Sequence, residues 1–132
     1  MALLSNTILD LALNGIDTLV TAIHICETEP TTYAQATTTH DGSADKYSLG
    51  SHTDTDLVGA ATDDGTAGRK VVIRAIIAAD AAAVTATGNA AFWALVSANA
   101  LVATGAITTP QNVTVSNTWT LATFDININD AT

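Results

Sequence analysis

The sequence TLATFDININ, residues 120–129, decides the fold class of this chain. Phe124, Ile126 and Ile128 are apolar, and each is followed by an acidic or amide residue. Successive side chains of an extended strand point to opposite faces of a sheet, so this period of two places the three apolar side chains on one face. The pattern predicts a half-buried β-strand.

Further short segments of the same kind fill the second half of the chain. Strands are predicted for residues 70–78, 82–87, 91–97, 101–107, 113–115 and 119–129. Turn-forming residues separate them, namely Asp80, Gly88-Asn89, Ala98-Asn99, Thr109-Pro110-Gln111 and Ser116-Asn117. Many short strands with short turns indicate an all-β fold, and specifically an antiparallel β-sandwich or a jelly roll.

The chain opens with a different pattern, which predicts a short helix over residues 5–14. Its Ser-Asn-Thr beginning offers capping side chains, and Gly15 can end it. Leu4, Ile8 and Leu11 fall on one stripe at spacings of four and three. A helix this short depends on packing against the rest of the protein.

Residues 17–27 predict the next strand, and both of its faces are apolar. One face carries Val20, Ala22, His24 and Cys26, and the other carries Leu19, Thr21, Ile23 and Ile25. A strand with two apolar faces lies in the centre of a sheet or at an interface. Pro30 ends it, because proline cannot donate to the ladder of a sheet.

The stretch from residue 30 to residue 68 has another composition, rich in Thr, Asp, Gly, Ser and Ala. It is too long for an ordinary loop of a compact domain. We expect an extended arm that lies across a neighbour, with a long functional loop containing a short strand near Tyr47-Ser48-Leu49 as the alternative. Residues 1–29, 30–68 and 69–132 are thus interpreted as three parts of a single domain.

The charge of the chain excludes whole classes of partner. Thirteen acidic residues against four basic ones give a net charge of −9. Binding a phosphate backbone requires clustered Lys and Arg, so nucleic acid is not an expected partner, and an anionic membrane surface is disfavoured for the same reason. No apolar run is long enough to span a bilayer, and the N-terminus lacks the basic flank of a signal peptide. We expect a protein that is synthesised and folded in a cytoplasm.

No group of residues in the sequence predicts catalysis. His24, Cys26 and Glu27 are close in sequence, but neighbouring strand positions point apart, so they do not form a triad. Cys26 is the single cysteine and is interpreted as a small buried side chain. The chain is therefore not expected to be an enzyme or to carry a cofactor.

A metal site is likewise not predicted. The run that starts at Asp54 places Gly59 at the sixth position, as in an EF-hand loop, but Leu57 occupies a ligand slot and Gly65 stands where glutamate is required. Solvated carboxylates are the better interpretation of this loop. The three histidines, at 24, 40 and 52, are too scattered to predict a shared metal.

The few aromatic residues are the candidate interface residues. Phe92 and Trp93 are adjacent on a predicted strand and face opposite sides, so one sheet face cannot bury both. Trp93 and Trp119 can each be a core anchor or an interface residue, since tryptophan is enriched at interfaces. The complete predicted set is Tyr33, Tyr47, Phe92, Trp93 and Trp119.

Several stretches of the chain resemble small virion structural proteins of tailed bacteriophages, in which an EPTTYAEAT…YxLG pattern precedes a β-rich half. The matching stretches here are EPTTYAQAT at 29–37, YSLG at 47–50, GNAAFWALV at 88–96, LVATGAI at 101–107 and NTWTL at 117–121. The resemblance covers most of the chain after the first fifteen residues. The acid-rich residues 54–68 depart from the pattern.

The resemblance implies a repeated structural subunit of a phage particle. The leading expectation is a capsid decoration (cement) protein, a homotrimer that binds the major capsid protein on the outer surface of the head and stabilises it. A tail or tail-fibre component that contacts the host is the alternative within the virion. A carbohydrate-binding β-sandwich module is the alternative of another class, and it would require exposed aromatic side chains on one rim.

Overall fold

The computed structural model describes residues 4–65, 68–80 and 83–129. The helices are α1 (Asn6–Leu19) and α2 (Tyr33–Thr37), with one 3-10 turn at Ala78–Asp80. The strands are β1 (Ala22–Cys26), β2 (Ser48–Thr53), β3 (Thr62–Asp63), β4 (Gly68–Ile73), β5 (Gly88–Val96), β6 (Leu101–Val113) and β7 (Phe124–Asn129). The fold of the described residues is mostly antiparallel β-structure with a short N-terminal helix, as the sequence predicts.

The strands form two sheets. The four-stranded sheet has the order β2-β1-β5-β6, and the three-stranded sheet has the order β3-β4-β7. Every strand pair is antiparallel. In β7 the burial alternates residue by residue, with Phe124, Ile126 and Ile128 half-buried and the residues between them exposed. This confirms the alternation predicted for the stretch that opened the sequence analysis.

Helix α1 is longer than the sequence predicted. It continues through Gly15 to Leu19, so the prediction that Gly15 ends the helix is wrong. The side chains that it buries are Leu9 and Leu13, while Ile8 and Leu11 of the predicted stripe are exposed. Packing of the buried side outweighs the weak helix propensity of glycine.

Arg69 fixes α1 to the three-stranded sheet. Its guanidinium donates from Nε to Asp10 Oδ1 at 2.6 Å and from Nη2 to Asp10 Oδ2 at 3.1 Å. Two parallel hydrogen bonds of this kind specify the orientation of the pair as well as its distance. The helix is therefore held to β4 by a directional contact in addition to its buried leucines.

Strand β1 lies in the centre of the four-stranded sheet, as its two apolar faces predict. It pairs with β2 on one side and with β5 on the other, and Ile23 and Ile25 are fully buried. The strand is shorter than predicted, because residues 17–19 belong to α1. Val20 at the junction of helix and strand is buried, which fixes the connection.

The segment 30–68 does not form the extended arm that we expected. It contains α2, β2 and β3, and β2 pairs with β1 along its length. Leu49 and Leu57 are buried in the core and anchor the segment at two points. The alternative, a short strand near Tyr47-Ser48-Leu49, is the one that the structure supports, because buried leucines outweigh the polar composition.

In the second half of the chain, several turns and strand boundaries differ from those predicted. Gly88 and Asn89 were predicted as a turn but begin β5, and residues 83–87 make only isolated bridges in place of the strand predicted at 82–87. The turn predicted at Ala98-Asn99 connects β5 to β6, and a turn also contains Ser116, whose φ is 73°. Strand β6 continues to Val113, so the break predicted at residue 109 is a bulge within a strand.

One buried cluster joins the two sheets. It includes Ile23 and Leu95 from the four-stranded sheet, Val71 and Ile73 from the three-stranded sheet, and Leu13 from α1. These residues come from both halves of the sequence. This cluster therefore connects α1 with both sheets.

Candidate interaction surfaces

The outward side of α1 is apolar and has no cover within the described chain. Leu4, Ile8, Leu11 and Leu19 are 60%, 48%, 70% and 55% exposed. Ile8, Leu11, Gly15 and Leu19 follow the helical spacings of three and four, and Leu4 directly precedes the helix. We call these five residues the outer stripe. Large exposed apolar side chains that share one face of an element mark a contact surface.

Gly15 lies in the middle of the outer stripe. A Cβ atom at this position would have no heavy atom within 4 Å, so the fold of the single chain does not require glycine there. Glycine within a helix costs about 1 kcal/mol relative to alanine. A residue that weakens the helix without an internal benefit fits a point where another backbone approaches closely.

The charges of α1 lie away from the outer stripe. Asp10 and Asp17 are the only charged residues of the helix, and Asp10 is paired with Arg69 of β4. Membrane-surface helices carry Lys and Arg on their polar face, and α1 carries neither. The stripe therefore suits a protein partner better than an anionic lipid surface.

Three of the predicted interface residues meet on the face of the four-stranded sheet that is opposite to Ile23 and Ile25. Tyr33, Tyr47 and Phe92 are half-buried and pack against a small cluster that contains Cys26 and Ala36. The Tyr33 hydroxyl donates to the carbonyl of Ala98 at 3.1 Å, and the Tyr47 hydroxyl donates to the carbonyl of Ala44. These aromatic rings cover the sheet together with α2, so part of their surface is already used within the chain.

The two tryptophans have different environments. Trp119 is 1% exposed, so in this fold it is a core anchor and not an interface residue. Its indole packs against Gly50, where a Cβ atom would come within 3.0 Å of Nε1, and that nitrogen has no hydrogen-bond partner among the described residues. Trp93 is half-buried and lies on the face opposite to Phe92, as the strand period predicts.

Trp93 forms one wall of a pocket of about 350 Å³. The other walls are residues 106–111 of β6 and residues 120–124 before and at the start of β7. Ala90 pairs with Gln111 whereas Phe92 pairs with Ala106, so four residues, 107–110, stand opposite the single residue Ala91. All four residues of this bulge line the pocket, and bulges are common beside functional sites.

His24 is half-buried and Cys26 is buried, and both make structural contacts. His24 Nδ1 lies 2.9 Å from Ser48 Oγ, and burial lowers the pKa of His24 to about 4. Burial also raises the pKa of the Cys26 thiol to about 12, and its Sγ lies 3.9 Å from the carbonyl of Ala36. Such a histidine is a weak base and such a thiol is a poor nucleophile. The structure does not bring these two residues together with an acid as a catalytic triad.

Arg74 at the end of β4 is the centre of a polar cluster that the sequence did not reveal. Its guanidinium pairs with Asp54, with 3.0 Å between Nε and Oδ2, and with Asp80. The Asp56 backbone N–H, followed by Arg74, lowers the pKa of Asp54. His52 Nε2 lies 3.2 Å from Arg74 Nη2. The cluster connects β2, β4 and the 3-10 turn.

His40 has a comparable structural role beside β1. Its Nε2 lies 2.9 Å from Glu27 Oε2, and its Nδ1 lies 2.8 Å from the carbonyl oxygen of Lys46. The side chain thus holds the segment before β2 against the end of β1. The three histidines lie in separate environments, and in the described ranges no group of three or more His, Cys, Asp or Glu side chains is arranged to hold a metal ion.

Comparison of the chain with protein-family models, with curated proteins and with solved structures finds no match. Within the described residues, no helix has the length and apolar character needed to cross a membrane. Function therefore has to be argued from the surfaces themselves.

Proposed function

We propose that this chain is a structural subunit of a phage virion, and specifically a capsid decoration protein that binds the outer surface of the head as a homotrimer. The observation that carries the proposal is the outer stripe of α1. A small acidic domain that exposes an uncharged apolar helix face is suited to packing against other subunits. The resemblance of residues 29–37 and 88–96 to small virion proteins agrees with this role.

We assign the outer stripe to contacts between copies of the chain. Each copy has a net charge of −9, so two copies repel each other, and a contact face that carries no charge keeps this repulsion smallest. The outer stripe meets this condition, and Gly15 at its middle allows a close approach of two helices. Repetition on a symmetric lattice then adds avidity to contacts that are individually weak.

Binding of such a subunit to the assembled shell stabilises the shell. A partner that binds only the assembled form shifts the equilibrium toward that form by mass action. The major capsid protein is the proposed partner on the shell side. We further infer that the two sheets pack face to face as an antiparallel sandwich, which is supported by the buried cluster that contains residues of both.

The amount of the chain in purified virions tests the proposal. Quantitative mass spectrometry should find hundreds of copies in each particle if the chain decorates the head. A handful of copies would favour the tail or fibre alternative, and absence from particles would refute both.

The assignment of the outer stripe has a separate test. Leu11→Gln and Asn6→Gln each place a glutamine on an exposed position of α1, but only the first lies on the stripe. Sedimentation velocity should show weaker self-association for Leu11→Gln and wild-type behaviour for Asn6→Gln. Equal behaviour of the two variants would contradict the assignment.

A further inference from the structure

The pocket beside Trp93 has an aromatic wall that is held in one orientation. The indole stacks on the ring of Phe124, with 4.4 Å between the ring centroids and 29° between the planes. It also lies across the backbone of Gly105, where a Cβ atom would come within 2.5 Å of Cζ2. Gly105 is therefore the residue that lets the indole lie flat against β6. The stacked rings come from β5 and β7 and lie against Gly105 of β6, and we call this stacked pair the platform.

Uncharged polar groups surround this platform. The hydroxyls of Thr108, Thr109 and Thr120 have no hydrogen-bond partner among residues 4–65, 68–80 and 83–129. Gln111 donates from Nε2 to the carbonyl of Thr120 at 2.7 Å, which fixes its amide and leaves Oε1 available as an acceptor. The pocket thus offers several hydroxyl groups and one oriented amide oxygen beside an aromatic surface.

The pocket contains no charged side chain. All of its lining residues, Trp93, 106–111 and 120–124, are neutral, although the chain has 13 acidic and 4 basic residues. An anionic ligand would lack a cation to pair with, and a cationic ligand would lack a carboxylate. A wholly apolar ligand would bury threonine hydroxyls without partners, which is unfavourable. The remaining class is a neutral ligand that has both hydroxyl groups and an apolar face.

We propose that this pocket binds a neutral saccharide. One pyranose ring would place its C–H face against the part of the Trp93–Phe124 stack that lines the pocket, and its hydroxyls would bond to the threonines and to Gln111. The volume of about 350 Å³ is at the lower end of ligand pockets, about 300–1,000 Å³, and suits one or two sugar rings. The inference does not depend on the virion role, because no residue that lines the pocket belongs to the outer stripe.

Titration of the purified chain with neutral sugars tests the proposal. The probes are glucose, galactose, mannose, N-acetylglucosamine, maltose and cellobiose, with glucose 6-phosphate as a charged comparison. We expect saturation-transfer NMR and tryptophan fluorescence to report saturable millimolar binding of at least one neutral sugar. Absence of saturation with all the neutral probes, or tighter binding of the phosphate than of glucose, would overturn the proposal.

Matched variants locate the binding. Thr109→Val removes a hydroxyl from the pocket wall, whereas Thr114→Val makes the same change on an exposed residue outside it. We expect Thr109→Val to weaken binding about two- to tenfold, the range for one hydrogen bond, and Thr114→Val to leave it unchanged. Trp93→Phe should weaken binding by tenfold or more, with Trp119→Phe as the control in the core. Equal affinities within either pair of variants, both confirmed as folded by circular dichroism, would refute the site.

Discussion

Replacement of Gly15 by alanine should stabilise the single chain and weaken its self-association. The position is inside α1, and a Cβ atom there would have no heavy atom within 4 Å. The substitution therefore adds helix propensity without an intramolecular clash. The expected gain is about 0.8–1.0 kcal/mol in the free energy of unfolding, which corresponds to about 3–5 °C in Tm for a chain of this size.

The same methyl group should act in the opposite direction between copies. If two α1 helices approach each other at Gly15, the added Cβ separates them, and overpacking of this kind costs about 1–3 kcal/mol. The Kd for self-association should then rise roughly 5- to 150-fold. Urea unfolding followed by circular dichroism at low protein concentration measures the first effect, and sedimentation velocity measures the second.

The experiment is decisive because the substitution is expected to raise the stability of the single chain and to weaken its self-association. A more stable chain with weaker association would support the proposed contact between helices. A more stable chain with unchanged association would refute the role of Gly15 at the contact. A less stable chain would show that the helix needs glycine for an internal reason, against the open space around this residue.

Three further predictions follow from other parts of the structure. Because the pKa of His24 is lowered to about 4 by burial, below its value of about 6.5 in the unfolded chain, stability should be full above about pH 6.5 and fall by about 3 kcal/mol toward pH 4. Urea midpoints across this range should show a smaller slope for His24→Gln, and an equal slope would contradict the prediction. Gly105→Ala should displace the Trp93 indole and cost about 1–3 kcal/mol, measured by urea unfolding and tryptophan emission, whereas wild-type values for both would argue against the contact. Self-association should strengthen as salt is raised from about 20 to about 300 mM, because screening reduces repulsion between copies of charge −9, while the reverse trend in sedimentation would indicate a contact made by opposite charges.

Strong local patterns in the sequence predicted their elements well. The alternation in β7 and the central position of β1 follow from side-chain periods alone, and both are found in the structure. The opposite directions of Phe92 and Trp93 follow from the same rule. A period of two determines the face on which each side chain lies, whatever the partner strand is.

The predictions that were wrong concern features that depend on contacts between distant residues. Gly15 was interpreted as a stop signal, but Leu13 and Val20 are buried on either side of it and extend the packed region beyond the glycine. The polar segment 30–68 was expected to extend because its apolar residues are sparse, yet Leu49 and Leu57 are enough to anchor it. Local composition does not show which few apolar residues find a core.

The pocket could not be predicted for a related reason. It requires β5, the bulge of β6 and the start of β7 to meet, and register shifts are set by three-dimensional pairing. Pro110 was the one local signal, since proline within a strand marks an edge or a bulge. As part of Thr109-Pro110-Gln111 it is equally typical of a turn, so the local sequence alone does not predict the wall of the site.

The bulge in β6 also limits how copies of the chain can join. Strand β6 is at the edge of the four-stranded sheet, and a long edge strand is a template on which another chain can add. Pro110 has no N–H to donate, and the bulge of residues 107–110 opposite Ala91 breaks the straight ladder. Addition of another chain along the edge of β6 is therefore disfavoured, which opposes the growth of continuous fibrils through this strand.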